Sequence, residues 1–198
     1  MTSRALAVVL LMLWPAGAAA QEWQLKPFLG LTFAGDTTIV DPEEAADDVH
    51  LALGGSVTWI GEILGVEADF GFVPGFFNGE TEDPRVRSSG VTTLTGNVVI
   101  AFPRRMTQYS LRPYVAGGVG LMRVSKEEFL DTFSLTMHVM TIDVGGGATG
   151  FLSETVGLNW DLRYFRNITG APDPDNPGLS FGAPRLSFWR LTMGVVLR

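Results

Sequence analysis

The sequence predicts an all-β fold, an eight-stranded antiparallel up-and-down transmembrane β-barrel. Three observations carry this reading. First, Val156, Leu158, Trp160, Leu162 and Tyr164 alternate with Gly157, Asn159, Asp161, Arg163 and Phe165. In an extended chain this puts grease on one face and a carboxylate, a guanidinium and an amide on the other. Second, the pattern recurs about eight times in segments of about 10–14 residues, near the 9–11 that a tilted strand needs to cross a bilayer. Third, the connections between the segments alternate between short and long. A soluble sandwich would turn its apolar face inward, whereas a membrane barrel turns it to lipid and keeps charge in the lumen.

The first element is a leader. Met1 to Arg4 is short and positive, Ala5 to Trp14 is apolar, Pro15 breaks the run, and Ala18-Ala19-Ala20 supplies small residues before Gln21. This is the pattern of a secretory signal peptide cleaved after Ala20. The apolar run of about ten residues is too short for the roughly 20 of a spanning helix. Residues 21–198 then form one barrel domain. Lys and Arg total 14 against 21 Asp and Glu, a formal net charge of −7 that becomes −8 once Arg4 is removed. Nucleic-acid binders concentrate basic residues, so that partner class is not expected. Cysteine is absent, which leaves no disulfide framework and no thiolate metal site. No later apolar stretch reaches helix-spanning length, so residence in a membrane requires strands.

The strands follow in order at about 22–33, 49–60, 63–73, 91–102, 111–123, 138–151, 155–166 and 185–197. Gly, Pro, Asn and Asp clusters punctuate them. Short turns are expected around Gly61-Glu62, over Pro103 to Ser110 and at Ser153-Glu154, with long loops over 34–48, 74–90, 124–137 and 167–184. The outward face of strand 1 carries Trp23, Leu25, Leu29, Leu31 and Phe33, and that of strand 3 carries Leu64, Val66, Phe70 and Phe72. The other strands follow suit without a charge, which at the bilayer midplane would cost about 2–4 kcal/mol. Aromatic residues gather near strand ends: Trp23, Trp59 and Phe102 at one end, Phe33, Phe72, Tyr164 and Trp189 at the other. They predict two interfacial girdles, where amphipathic rings suit the headgroup region. Trp160 falls mid-strand, outside this scheme.

The opposite parity holds the polar residues. Its charged members are Lys26, Arg112, Arg163 and Arg190 against Glu67, Asp69, Asp143 and Asp161. Buried ions persist when paired and hydrogen-bonded, so this even set predicts an interior salt-bridge network. Asp161 and Arg163 read as halves of two such pairs. Glycines on the same face, among them Gly71 and Gly145, leave room for long basic side chains. Eight strands enclose an interior that side chains just fill, and a filled barrel is expected in place of an open pore.

With the leader, the eight amphipathic strands, the charged lumen and the stretch Leu111-Arg-Pro-Tyr-Val-Ala-Gly-Gly-Val-Gly-Leu121 on the page, the chain resembles the bacterial outer-membrane β-barrel family. It is most similar to the small eight-stranded barrels typified by the transmembrane domain of outer-membrane protein A. The resemblance covers residues 21–198. It implies location in the cell outer membrane and insertion by the barrel-assembly machinery. Members usually end in an aromatic residue, and this chain ends Val196-Leu197-Arg198. No peptidoglycan-binding domain follows strand 8, so that activity does not carry over.

Other candidate sites are weaker. Gly145-Gly-Gly-Ala-Thr-Gly150 fits a dinucleotide-binding spacing, but a strand follows it and the motif needs a helix there. His50 and His138, the two histidines, lie near strand borders without metal-ligand spacing, and no metal or other cofactor is expected. A lipid A hydrolase or acyltransferase would need a serine within reach of a histidine base. His138, Ser134 and Glu127 or Glu128 could meet only if the third loop folded back, and no enzyme is expected. Asp36, Asp41, Glu43, Glu44, Asp47 and Asp48 crowd the first loop. Such carboxylates can hold Ca²⁺ or Mg²⁺, although a solvated loop is the simpler account. Arg85 and Arg87 of the second loop could touch lipid phosphates. The expected role is a monomeric, non-enzymatic envelope or surface-interaction protein in contact with outer-membrane lipid and lipopolysaccharide. A narrow porin-like solute or ion channel is the alternative, ahead of a lipid A-modifying enzyme. A soluble lipocalin-type barrel is disfavoured by the apolar outer face.

Overall fold

The computed structural model describes residues 21–37, 49–76, 86–107, 111–128, 134–168 and 186–198. The expected leader, Asp41, Glu43, Glu44, Asp47, Asp48 and Arg85 lie outside the described residues. Eight strands form a closed barrel in sequence order: β1 (Glu22–Thr37), β2 (His50–Ile60), β3 (Leu64–Pro74), β4 (Val86–Ala101), β5 (Leu111–Glu128), β6 (Ser134–Phe151), β7 (Val156–Asn167) and β8 (Leu186–Leu197). Every neighbouring pair is antiparallel, and β8 returns to β1 through pairings such as Leu31 with Leu191. Closure leaves no strand edge unpaired, the one way a sheet can satisfy its backbone inside lipid.

The expected parity holds on every strand. On β7 exposed Trp160 and Leu162 alternate with buried Asp161 and Arg163, and β4 keeps its alternation from Val91 to Ala101. Register is secure because a one-residue slip would drive charges into lipid and leucines into the lumen. The one break at the β1–β8 seam is a bulge between Phe33 and Asp36, where Ala34 takes a positive φ of 50°.

Four strands extend further toward the long-loop end than the alternation predicts: β1 to Thr37, β4 from Val86, β5 to Glu128 and β6 from Ser134. The ladder joins main-chain groups whatever the side chains, so pairing continues past the stretch that the alternation marks. Asp36, expected in a loop, consequently lies within β1, and His138, expected at a border, lies within β6. At the short-turn end Arg104 and Arg198 both reach Glu22, at 2.6 and 2.9 Å, and Arg198 also donates to the Glu154 carbonyl. The three basic and acidic groups tie β1, the β4–β5 turn and the chain's last strand together.

Trp160 also finds an explanation. It faces outward, and its indole N–H donates to the Met193 sulfur at 3.0 Å across the β7–β8 pair. A mid-strand indole is tolerable in lipid because its single donor is satisfied. The girdle residues all sit at outward positions: Trp23 stacks near Trp59 with ring centroids 6.4 Å apart, Tyr164 lies 5.2 Å from Trp189, and Phe33 stands opposite Trp189 in the register. Phe72 and Phe102 are exposed on the same surface.

Candidate functional site

The barrel interior gathers the buried charged side chains of the described residues, and it is layered. The middle layer is ionic. Arg163, on β7, donates from Nη2 to Glu67 Oε1 at 2.6 Å and from Nε to Asp161 Oδ1 at 2.7 Å, and its Nη1 stands 3.5 Å from Asp143. Glu67 in turn accepts from Lys26 Nζ at 3.3 Å and from Thr58 Oγ1 at 2.9 Å. With its amide oriented to suit its neighbours, Asn97 donates to Asp143 at 2.8 Å and accepts from Arg163 at 2.7 Å. The Tyr114 hydroxyl donates to Asp161 Oδ2 at 2.7 Å, and Lys26 lies over the Tyr114 ring at 5.0 Å. These side chains are buried. Charge-assisted bonds of this kind lose little to screening where water is excluded.

A second guanidinium sits toward the long-loop end. Arg190 Nη2 donates to Asp69 at 2.7 Å. Its Nε and Nη1 have no hydrogen-bond partner, but the guanidinium lies between the rings of Phe28 and Phe165, 4.8 and 4.6 Å from their centroids. Arginine suits this place because its planar, weakly hydrated cation stacks on aromatic faces. Gly71 is required beside it, since a Cβ there would collide with Arg190 Nη1.

Two of the expected pairings are corrected. Asp161 and Arg163 bond to each other, two residues apart on one face of β7, and are not halves of separate pairs. Arg112 stands apart from the ionic layer: it donates to the backbone carbonyls of Phe102, Gly61 and Glu62 at 3.1, 2.8 and 2.7 Å. The middle layer therefore counts Lys26, Arg163 and Arg190 against Glu67, Asp69, Asp143 and Asp161. Arg112 fails to join it because a guanidinium one turn from the strand end reaches the free carbonyls of the short turns first.

Above and below this layer the interior also holds an apolar cluster, which the polar parity did not predict. Toward the long-loop end Ala52, Val73, Phe76, Val91, Met122, Val124, Phe165, Leu186 and Phe188 form one buried cluster. Phe165 stacks on Phe188 at 5.2 Å, and His50 stacks on Phe76 at 5.4 Å. Toward the short turns Ile60, Val99, Ala101, Tyr114 and Ala116 form another. The signal was present: Val98-Val99-Ile100-Ala101-Phe102 and Tyr164-Phe165 are apolar on both parities, as a segment buried on both faces must be. Between the clusters a cavity of about 10 Å³ is lined by Lys26, Ser56, Asp69, Tyr114, Asp161 and Arg163 among others, room for about one water molecule.

The remaining candidates are not brought together. His138 is exposed on β6 and His50 lies on β2. Ser134 is four residues from His138 on the same extended strand, a separation of about 13 Å at strand rise, too far for a nucleophile and its base. Gly145 and Gly147 continue directly into paired strand and meet β7, where a Cβ on either would collide with its backbone. Close strand packing accounts for those glycines without a nucleotide.

A closed eight-stranded barrel with an apolar exterior and an ionic interior is the architecture of a small membrane barrel. A family model, described as outer membrane protein beta-barrel domain, matches residues 6–184, and the chain belongs to that family. The chain is similar in fold to Neisserial surface protein A, with a TM-score of 0.62 at 12% identity over 88% of this chain and 95% of that one. It is also similar to the N-terminal barrel domain of Pseudomonas aeruginosa OprF, with a TM-score of 0.53 at 15% identity over 90% and 98%. The Pseudomonas aeruginosa outer membrane protein OprG gives 0.53 at 14% identity over 91% and 97%. No curated protein matches the sequence.

Proposed function

We propose that this is a non-enzymatic outer-membrane protein whose filled interior gives mechanical and thermodynamic stability, and whose role is exercised by its exterior and its long loops. One observation supports this reading above the others. The charges of the middle layer are spent on one another, with an apolar cluster on either side. A catalytic group needs a free approach for substrate, and a conducting pore needs a continuous wetted path. The proposed route to the membrane is export by the leader at residues 1–20 and insertion by the barrel-assembly machinery. The proposed state is a monomer among outer-membrane lipids, including lipopolysaccharide.

The test is conductance in planar bilayers. Refolded residues 21–198 should be silent under applied voltage, while migrating on gels with the heat-modifiable mobility of a barrel. A steady single-channel conductance that falls in Arg163→Ala would overturn the filled interior and favour a narrow channel.

A further inference from the structure

The barrel's outer surface is not symmetric at the long-loop end. Leaving the apolar band, β5 passes outward-facing Val119 and Leu121 and then presents Arg123. On β6 the order is Ile142, Met140 and His138, and on β7 it is Leu162, Tyr164 and Arg166. All three basic side chains are exposed on adjacent strands. The register sets Arg123 opposite His138, and Arg166 opposite Ile142. On the other five strands the outward residues Phe33, Leu51, Phe72, Thr92 and Trp189 are uncharged, and the acidic residue of this end within a described strand, Asp36, is paired with Ser187 in the row of Arg166. The luminal guanidiniums each have a carboxylate or carbonyl partner, whereas among the described residues neither the Arg123 nor the Arg166 side chain has one.

A guanidinium at the edge of the apolar band can snorkel into the headgroup layer, where phosphate offers it paired, charge-assisted hydrogen bonds. The two arginines are two strands and four residues apart in register, about 16 Å between backbones from strand spacing and rise. That separation fits two anionic groups better than one. Between them lie exposed Met140 and Ile142, with Leu121 beside Met140 on β5, an apolar floor for acyl chains. We propose that Arg123 and Arg166, with His138 as a further donor, form a binding site for a diphosphorylated lipid of the leaflet at the long-loop end, its acyl chains lying on Leu121, Met140 and Ile142. This rests on the outer-membrane reading above and adds to it the lipid class and the face that takes it.

The experiment is native mass spectrometry of the detergent-solubilised barrel titrated with diphosphoryl lipid A, monophosphoryl lipid A and phosphatidylcholine. The unaltered protein should retain the diphosphoryl lipid most tightly. Arg123→Ala with Arg166→Ala should weaken retention about tenfold or more, the loss of about 1.4 kcal/mol or more of binding. Arg104→Ala, at the opposite end, should leave retention unchanged. Arg123→Lys with Arg166→Lys serves if the alanine variant does not show heat-modifiable mobility, and should weaken retention by losing the bidentate geometry. Equal retention by parent and variants, or equal retention of all three lipids, overturns the site. Full displacement by millimolar inorganic phosphate overturns the lipid as its occupant. Conductance of the unaltered barrel reports on the filled interior separately, so either proposal can fail alone.

Discussion

The middle of the barrel and its long-loop end solve the same problem with opposite chemistry. In the middle, Arg163 is held by Glu67 and Asp161 at 2.6 and 2.7 Å. Two residues along β7, Phe165 stacks on Phe188 of β8 with ring centroids 5.2 Å apart. The ionic layer is directional: each partner has a fixed place and its loss strands a charge. The apolar layer is non-directional, and its value scales with area removed from water. The two depend on each other. The apolar cluster keeps water from the ions, which strengthens their attraction, while the ions fix which residues meet across the lumen. Arg190 joins the layers, with one end on Asp69 and its flat face against Phe165.

The largest effect should come from stranding charge in the middle. Arg163→Ala leaves Asp161 buried without its cation and Glu67 with Lys26 alone, and should destabilise the barrel by about 3–5 kcal/mol. Urea unfolding from lipid vesicles reads this directly. Replacing Arg163 and Asp161 together by Met and Leu, which leaves Glu67 paired with Lys26, should recover most of the loss. If the double variant is as unstable as the single, the middle layer is not a set of mutually compensating charges.

The next effect belongs to the apolar layer. Met122→Ala, at a fully buried position, should cost about 2–4 kcal/mol through lost burial and the cavity left behind. The same unfolding assay should show that no second substitution in the ionic layer rescues it. Rescue by such a change would collapse the distinction between the layers.

Arg190→Lys probes the junction. Lysine keeps the charge for Asp69 but gives up the stacked guanidinium, a loss of about 1–2 kcal/mol in a desolvated site. A value near zero would mean the rings of Phe28 and Phe165 are spectators. The smallest effect should be outside: Trp160→Phe removes the N–H donated to Met193 and one ring of area, a change below about 1 kcal/mol. The shift in midpoint should be barely resolved.

Legibility in the sequence followed the environment of each face. Where one face of a strand meets lipid and the other the ionic layer, as at Trp160 and Asp161, alternation revealed both the strand and the direction of every side chain. Where both faces are apolar, as at Val98 to Phe102, it could not tell inward Val99 from outward Val98 and Ile100 without counting parity from the strand's middle. At the long-loop ends of β5 and β6 the backbone ladder continues past the stretch that the alternation marked, and the strands ran on unseen. Of the acidic residues expected in the first loop, Asp36 lies within β1 and the others lie outside the described residues.

The sequence by itself determined that the chain is a barrel, which residues face in and which face out, because a period of two forces every other side chain to one side. Only the tertiary structure decided who meets whom. Glu67 and Arg163 are 96 residues apart and touch, because closing the sheet carries β3 and β7 to opposite sides of one narrow lumen. Closure also sent Arg112 to the turn carbonyls, away from the carboxylates that its parity promised. And it set Arg123, His138 and Arg166 on three adjacent strands, where residues far apart in the chain present one basic face to the surroundings.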